Sequence, residues 1–140
     1  MLDGQTQKKD CLPQIKHTVQ VLLVSDDLFF QRTNHNLLRD LCCEAFVANN
    51  ATAALDLVRK GYDFILLDID SKNINSLELA PMLYISIERS SALIAVASHI
   101  NIDIQKKYNE AGVKLLLSKP LDKKSLISLL QTKICLTQRL

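Results

Sequence analysis

Several features that would point to a particular chemistry are missing from this sequence. Only three of its 140 residues are glycine, and no glycine-rich loop is present that could cradle a nucleotide phosphate. The four cysteines form no Cys-x-x-Cys pair and have no histidine at ligand spacing, so a zinc site is the weaker interpretation. We interpret these cysteines as reduced thiols of an intracellular protein.

Strong charge and long hydrophobic runs are also missing. The net charge of +2 gives no reason to expect binding to nucleic acid or to an anionic membrane. No apolar run reaches the length of a membrane span, and nothing near the start resembles a signal peptide. We therefore expect a cytoplasmic location.

Length and composition predict one domain. With 140 residues, of which 48% are hydrophobic, the chain can bury a sizeable core. Residues 1–17 are polar, contain Pro13 and lack periodicity, so they predict a disordered arm or linker. The folded domain is expected at residues 18–136, with a short tail at residues 137–140.

The most informative stretch is residues 62–70, Tyr-Asp-Phe-Ile-Leu-Leu-Asp-Ile-Asp. Its continuous apolar run is typical of a strand buried on both faces, as in a parallel sheet covered by helices. The run ends at Asp68, whose carboxylate is too costly to bury without a partner. In open α/β sheets, ligands bind in the cleft beyond the carboxyl ends of the strands. Asp68 is therefore the first candidate functional residue.

The rest of the chain repeats a strand followed by a helix. Strands are predicted at residues 19–24, 44–48, 64–68, 92–97 and 113–117. Helices are predicted at residues 28–42, 51–60 and 76–89, from Asn101 or Asp103 to residue 111, and from the cap Asp122 to residue 136. Pro81 requires the third helix either to start late or to bend.

This pattern predicts an α/β fold with a parallel sheet and helices on both faces. A strand order of 2-1-3-4-5 is the known flavodoxin-like, doubly wound arrangement of such a sheet, and we adopt it as the expected order. The second strand is short and more polar, which favours a place at the edge.

Parallel strands all end on the same side of a sheet, so the residues that follow them should meet. These residues are Ser25, Asp26, Asp27, Asp68, Ser98 and Lys119. Paired carboxylates suit a hard divalent cation that keeps several waters. A lysine suits a phosphoryl oxygen. The combination of a carboxylate nucleophile, a metal and a lysine predicts phosphoryl transfer to an aspartate.

Several motifs carry a family resemblance. They are residues 21–27 (Val-Leu-Leu-Val-Ser-Asp-Asp), residues 62–69, the pair Ala111-Gly112, and residues 117–120 (Leu-Ser-Lys-Pro). With them, residues 19–130 resemble the receiver domain of two-component response regulators, the chemotaxis-type receiver fold. The resemblance implies a signalling protein that at most catalyses its own phosphorylation and is not a metabolic enzyme.

The resemblance also assigns roles to residues. Asp68 matches the phosphoacceptor, and the donor would be a phosphohistidine on a histidine kinase or a histidine phosphotransfer protein. Mg²⁺ would be bound by Asp26, by Asp68 and by the backbone carbonyl of Asp70. Lys119 matches the lysine that pairs with the phosphoryl group, and its peptide bond to Pro120 would be cis.

Three of the positions that depart from the family pattern concern the metal site and the switch. Ser25 replaces one of two acidic residues at the end of the first strand, which should weaken Mg²⁺ binding. The switch hydroxyl falls on Ala97, while Ser98 is one residue late and would point to the other face unless the strand bulges. The switch aromatic falls on Leu116. The parts that receive phosphate are thus mostly present, and the parts that report it are altered.

These departures leave a second interpretation open. The chain could be a pseudo-receiver, a protein-binding module that works without phosphate. Its surface, and that of a possible homodimer, would be the fourth helix, fifth strand and fifth helix. A flavodoxin-like enzyme that binds a nucleotide or flavin is a third alternative, which the residues Ser25, Asp26 and Asp27 after the first strand disfavour. The sequence leaves open whether the chain acts alone or within a larger regulator or hybrid kinase.

Overall fold

The structure is a computed structural model that describes the backbone of residues 18–139 and the side chains of residues 18–132. The strands are β1 (Gln20–Val24), β2 (Glu44–Ala48), β3 (Phe64–Asp68), β4 (Ala92–Ala97) and β5 (Leu115–Ser118). The helices are α1 (Leu28–Asp40), α2 (Ala51–Val58), α3 (Ser76–Ser86), α4 (Ile102–Glu110) and α5 (Lys123–Arg139). The predicted alternation of strands and helices is confirmed.

The five strands form one parallel sheet in the order β2-β1-β3-β4-β5, as predicted. Strand β3 lies at the centre and is buried along its whole length. This burial explains its unbroken apolar run, because helices cover both of its faces. Strand β2 is at one edge, which agrees with its more polar sequence.

The sheet separates two hydrophobic cores. Successive strand residues point to opposite faces, so Leu23 and Leu66 pack with α1 and α5 while Leu22 and Ile65 pack with α2, α3 and α4. Helices therefore lie on both faces of the sheet, and the doubly wound α/β fold is confirmed. All the strand ends that carry polar residues emerge on one side.

Side-chain caps fix where the helices begin. The carboxylate of Asp27 accepts a hydrogen bond from the N–H of Phe29, and Asp122 accepts one from the N–H of Ser125. Asn50 and Asn101 cap α2 and α4 in the same way. These caps place the start of α1, α2, α4 and α5 within five residues of the strand end before them, whereas the loop between β3 and α3 is longer.

The predicted ends of several elements differ from the observed ones. Helices α1, α2 and α3 each stop two or three residues before the predicted bounds, and β5 begins two residues late. Cys42, with φ 62, and Gly61, with φ 86, follow the first two helices in the left-handed conformation that terminates helical hydrogen bonding. Helix α5 continues to Arg139, past the predicted end at residue 136.

Pro81 lies inside α3 rather than in its first turn. The helix already begins at Ser76, with Asn75 as its cap, so the alternative of a late start is wrong. Proline has no N–H, and the carbonyl of Leu77 therefore lacks its usual helical donor. Both Leu77 and Pro81 are on the exposed side of the helix, where water can hydrate that carbonyl.

The interpretation of all four cysteines as reduced thiols is wrong for Cys42, which is disulfide-bonded. Its neighbour Cys43 is a free, buried thiol. Burial, together with the negative charge of Asp63, raises the pKa of Cys43 to about 11. Cys43 therefore stays protonated and acts as a core residue.

The predicted arm at residues 1–17 lies outside the described residues. Over residues 18–139, none of the helices combines the length and hydrophobicity needed to cross a bilayer.

A pair of substitutions on α3 tests the packing. Leu83 is 0% exposed beneath the sheet, whereas Leu77 on the same helix is 41% exposed. We expect Leu83→Ala to lower the free energy of unfolding by about 2–5 kcal/mol, because it leaves a cavity. Leu77→Ala should cost less than about 1 kcal/mol. Urea unfolding monitored by circular dichroism measures both, and equal losses would contradict the described orientation of α3.

Candidate functional site

The ends of β1, β3 and β5 bring three polar side chains together. Ser25 follows β1, Asp68 ends β3, and Lys119 follows β5. Asp68 is only 1% exposed, although it is the last residue of its strand. The predicted meeting of these residues at one edge of the sheet is confirmed by their hydrogen bonds.

Both oxygens of the Asp68 carboxylate accept hydrogen bonds from neighbouring donors. The Ser25 hydroxyl donates to Oδ2 at 2.6 Å, and Nζ of Lys119 donates to Oδ1 at 2.6 Å. The backbone N–H of Asp70 also donates to Oδ1, at 3.0 Å. A buried carboxylate is tolerated only with such compensation, because desolvation of an unpaired charge costs several kcal/mol.

Ser25 lacks a carboxylate but forms several hydrogen bonds of its own within the site. It is fully buried, and its hydroxyl oxygen accepts a hydrogen bond from the N–H of Asp27 at 3.0 Å while donating to Asp68. Its backbone carbonyl accepts from the side chain of Gln31 at 2.6 Å. Ser25 therefore ties the turn between β1 and α1 to the end of β3 by hydrogen bonds, without a second carboxylate.

Lys119 lies between two carboxylates and an aromatic ring. Its Nζ is 2.6 Å from Oδ1 of Asp68, 3.1 Å from Oδ2 of Asp70 and 5.0 Å from the ring centroid of Phe30. Burial alone would lower the pKa of Lys119, but the hydrogen bonds to Asp68 and Asp70 outweigh it and raise the pKa. The ammonium form is therefore held in place.

The role of Phe30 beside Lys119 could not be read from the sequence. Its place on the apolar face of α1 indicates only a core residue, and it is buried. The cation–π contact depends on how α1 packs against the end of β5, which periodicity alone does not define. The peptide bond that follows Lys119, to Pro120, is cis, as the family resemblance implies.

The side chain of Asp70 was not predicted to take part in the site. Its Oδ2 accepts hydrogen bonds from both the backbone N–H and the hydroxyl of Ser98, each at 2.9 Å. Burial acts to raise the pKa of Asp70, but the bonds from Ser98 and Lys119 prevail and lower it. Asp70 thus joins the loop after β3 to the end of β4.

An open cavity of about 440 Å³ lies beside these groups. Four aspartates and two lysines contribute to its lining, namely Asp26, Asp27, Asp68, Asp70, Lys72 and Lys119. The Asp26 carboxylate accepts a hydrogen bond from the N–H of Asn73 at 2.7 Å, so it is held at the cavity by the loop after β3. The cavity is thus predominantly acidic, with Lys119 at its inner side.

This cavity offers few ligand groups to a magnesium ion. Among the described residues, no three Asp, Glu, His or Cys side chains are grouped closely enough to hold a metal. The predicted ligands supply two carboxylates, Asp26 and Asp68, and the carbonyl of Asp70. These are hard oxygen donors of the kind that Mg²⁺ accepts alongside waters, and Ser25 adds no charge to them.

The predicted switch positions lie around the ends of β4 and β5. Ala97 is fully buried and pairs with Ser118, and Leu116 is partly buried against the core beneath α3 and α4. Strand β4 ends at Ala97 in regular register. Ser98 lies just past that end, so it reaches Asp70 without the strand bulge that we considered.

Comparison with known proteins identifies the family. A model of the response regulator receiver domain matches residues 21–131, which is most of the chain. The chain belongs to the receiver-domain family. Receiver domains typically bind Mg²⁺ at the phosphorylation site and interact with histidine kinases or phosphotransfer proteins.

Two curated relatives align with most of the chain, and one of them is a two-component response regulator. Two-component response regulator 24 of Arabidopsis thaliana is 32% identical over 123 residues, covering 85% of this chain and 87% of that protein. Transcription factor prr1 of Schizosaccharomyces pombe is 28% identical over 120 residues, covering 85% of this chain. The chain spans only 22% of the length of the yeast protein, so the two relatives differ in what surrounds this domain.

Solved structures share the receiver fold. A CheY-like receiver domain from Methylobacillus flagellatus has a TM-score of 0.73 and 28% identity, covering 84% of this chain and 99% of its own. A response regulator from Burkholderia pseudomallei has a TM-score of 0.74 and 22% identity, covering 86% of this chain and 71% of its own. That structure contains a phosphorylated aspartic acid, a calcium ion and citrate.

The contribution of Lys119 to this receiver domain can be measured as stability. Lys119→Met keeps much of the aliphatic stem but leaves the carboxylates of Asp68 and Asp70 without their cation. We expect a loss of about 1–3 kcal/mol in the free energy of unfolding, measured by urea denaturation at neutral pH. Lys114→Met, at an exposed position near β5, should change it by less than about 0.5 kcal/mol. Matching effects of the two substitutions would show that the ion pairs are energetically unimportant.

Proposed function

We propose that this receiver domain accepts a phosphoryl group on Asp68 from a phosphohistidine of a histidine kinase or phosphotransfer protein. The observation that supports the proposal best is the buried Asp68 carboxylate, which lies at an open acidic cavity and is bonded directly to Lys119. A carboxylate held in this way is positioned by the protein before any phosphohistidine donor binds.

The two oxygens of Asp68 face different partners, which suggests different roles. Oδ1 lies beside the ammonium of Lys119, whereas Oδ2 faces Ser25 at the end of β1. In the proposed reaction Oδ1 attacks phosphorus, the N–P bond of the phosphohistidine breaks, and the imidazole leaves. Lys119 then neutralises charge on the transferred oxygens, as lysines do in other phosphoryl-transfer sites.

We propose Asp26, Oδ2 of Asp68 and the backbone carbonyl of Asp70 as the magnesium ligands. When bound, Mg²⁺ would offset the negative charge of the donor phosphoryl group. Asp26 is oriented toward the loop that carries Asp70 by the N–H of Asn73. Because Ser25 is neutral, this site has one carboxylate fewer than the usual receiver pattern, and its affinity should be low.

Two exposed apolar side chains suggest where the donor protein docks. Leu28 and Phe29, at the start of α1, are 63% and 76% exposed, and Leu28 lines the cavity. Apolar side chains beside a reactive carboxylate can anchor a partner. A homodimer could form separately through α4, β5 and α5, where Ile102 and Leu115 are exposed. We propose no nucleic-acid contact for this domain.

A phosphate-independent binding module remains the alternative function. It is favoured by hydrogen bonds within the protein, because the carboxylate oxygens of Asp68 and Asp70 already accept from Ser25, Lys119 and Ser98. A pseudo-receiver would keep these bonds permanently. It would bind its partner with an affinity that does not change with Mg²⁺ and a phosphodonor.

Intact mass measurement decides between these functions. After incubation with Mg²⁺ and acetyl phosphate, and separately with a phosphorylated histidine phosphotransfer protein, we expect one added phosphoryl group on the wild type. Asp68→Asn should gain none, because an amide is not a nucleophile here. Asp56→Asn, an exposed position on α2, is the matched control and should behave as wild type. A folded wild-type protein that gains no mass from either donor would support the pseudo-receiver.

Restoring the missing acidic residue tests the metal assignment. Ser25→Asp should bind Mg²⁺ roughly tenfold more tightly than wild type, because an added carboxylate strengthens a hard-cation site. Without metal it should be less stable than wild type, since two carboxylates would then lie side by side. Isothermal titration calorimetry and thermal unfolding with and without Mg²⁺ measure these effects. An unchanged affinity would place the metal away from Ser25 and Asp68.

A further inference from the structure

One carboxylate oxygen at the site has an unusually complete set of donors. Oδ2 of Asp70 accepts the backbone N–H of Ser98 at 2.9 Å, the hydroxyl of Ser98 at 2.9 Å, and Nζ of Lys119 at 3.1 Å. An N–H, a hydroxyl and an ammonium that converge on one oxygen make a strong anion-binding arrangement. The donors come from the ends of β4, which lies next to β3, and of β5, which lies two places from it, whereas Asp70 is on the loop after β3.

A phosphoryl group on Asp68 would need the same donors. Lys119 is shared, since its Nζ bonds Oδ1 of Asp68 and Oδ2 of Asp70 at once. An aspartyl phosphate brings further negative oxygens to the Lys119 side of the site, and these oxygens require cationic and N–H donors there. The Asp70 carboxylate and the phosphoryl oxygens therefore compete for one site.

We propose that the Asp70 carboxylate is an internal anion that occupies the phosphoryl-oxygen position and must move away when Asp68 is phosphorylated. In the phosphate-free protein it holds Ser98 and Lys119 as a phosphoryl oxygen would. This inference rests on the proposed function, because it describes how the same site is regulated. It also assigns the site hydroxyl to Ser98, since Ala97 has none.

The position of Ser98 supports this role over that of an ordinary loop hydrogen bond. Ser98 is exposed, so neither of its donor groups needs a protein partner to avoid a desolvation penalty. Both nevertheless point at the same oxygen of a residue 28 positions away. Such a bond orders the loop between β4 and α4, and its loss on phosphorylation would free that loop at the surface formed by α4 and β5.

Hydrogen exchange tests the contact between Asp70 and Ser98 without any phosphodonor. The amide proton of Ser98 should exchange at least about tenfold faster in Asp70→Ala than in wild type, because its acceptor is gone. Asp56→Ala, which removes an exposed carboxylate on α2, is the matched control and should leave Ser98 unchanged. Thermal unfolding checks that both variants are folded. An unchanged exchange rate of Ser98 in folded Asp70→Ala would overturn the proposal that the Asp70 carboxylate holds Ser98.

Analogue binding tests the competition. The probe is beryllium trifluoride with Mg²⁺, titrated into wild type and Asp70→Asn, which keeps the backbone carbonyl and removes the charge. We expect Asp70→Asn to bind the probe about tenfold more tightly, and Asp56→Asn to match wild type. Equal affinity of Asp70→Asn and wild type would contradict the competition. If neither protein binds the probe, the proposed phosphoacceptor function fails, and the exchange of Ser98 still decides whether Asp70 holds the loop.

Discussion

The hydrogen bond between Lys119 and the buried Asp68 carboxylate is the constraint on which the site depends. A parallel sheet covered on both faces has no polar interior, so a carboxylate at the end of its central strand requires a cation within reach. Lys119 meets that need from β5, at 2.6 Å. The strand order, the turn after β5 and the packing of Phe30 on α1 all serve to hold that ammonium in place.

The other contacts divide the site into two halves. On the side of β1, the neutral hydroxyl of Ser25 donates a hydrogen bond to Asp68. Asp26 is therefore the carboxylate on this side that could join Asp68 in binding a cation. On the side of β4 and β5, Asp70 draws Ser98 and Lys119 together. Under the proposed function, the phosphate-free receiver would therefore bind a metal weakly, and its anion-binding donors would already be occupied by Asp70. The first property follows from the neutral Ser25, and the second follows from the carboxylate of Asp70.

The sequence predicted the fold and the location of the site, because both depend on strong local signals. The apolar run that stops at Asp68 indicates a buried strand and its exit, and the strand-end rule then gathers Ser25 and Lys119 beside it. The hydrogen bonds that Ser98 donates to Asp70 could not be predicted, since they depend on the path of two loops. Pro81 inside α3 and the disulfide at Cys42 were likewise beyond periodicity, because neighbouring packing and bonding partners decide them.

The most direct test of the account is to locate the phosphoryl group chemically. The receiver is phosphorylated by a phosphohistidine donor with Mg²⁺, reduced with borohydride, digested and sequenced by mass spectrometry. Reduction converts an aspartyl phosphate to homoserine, and the account predicts homoserine at position 68 alone. Homoserine at position 26, 27 or 70, with Asp68 intact, would contradict the central claim that the carboxylate bonded to Lys119 is the acceptor.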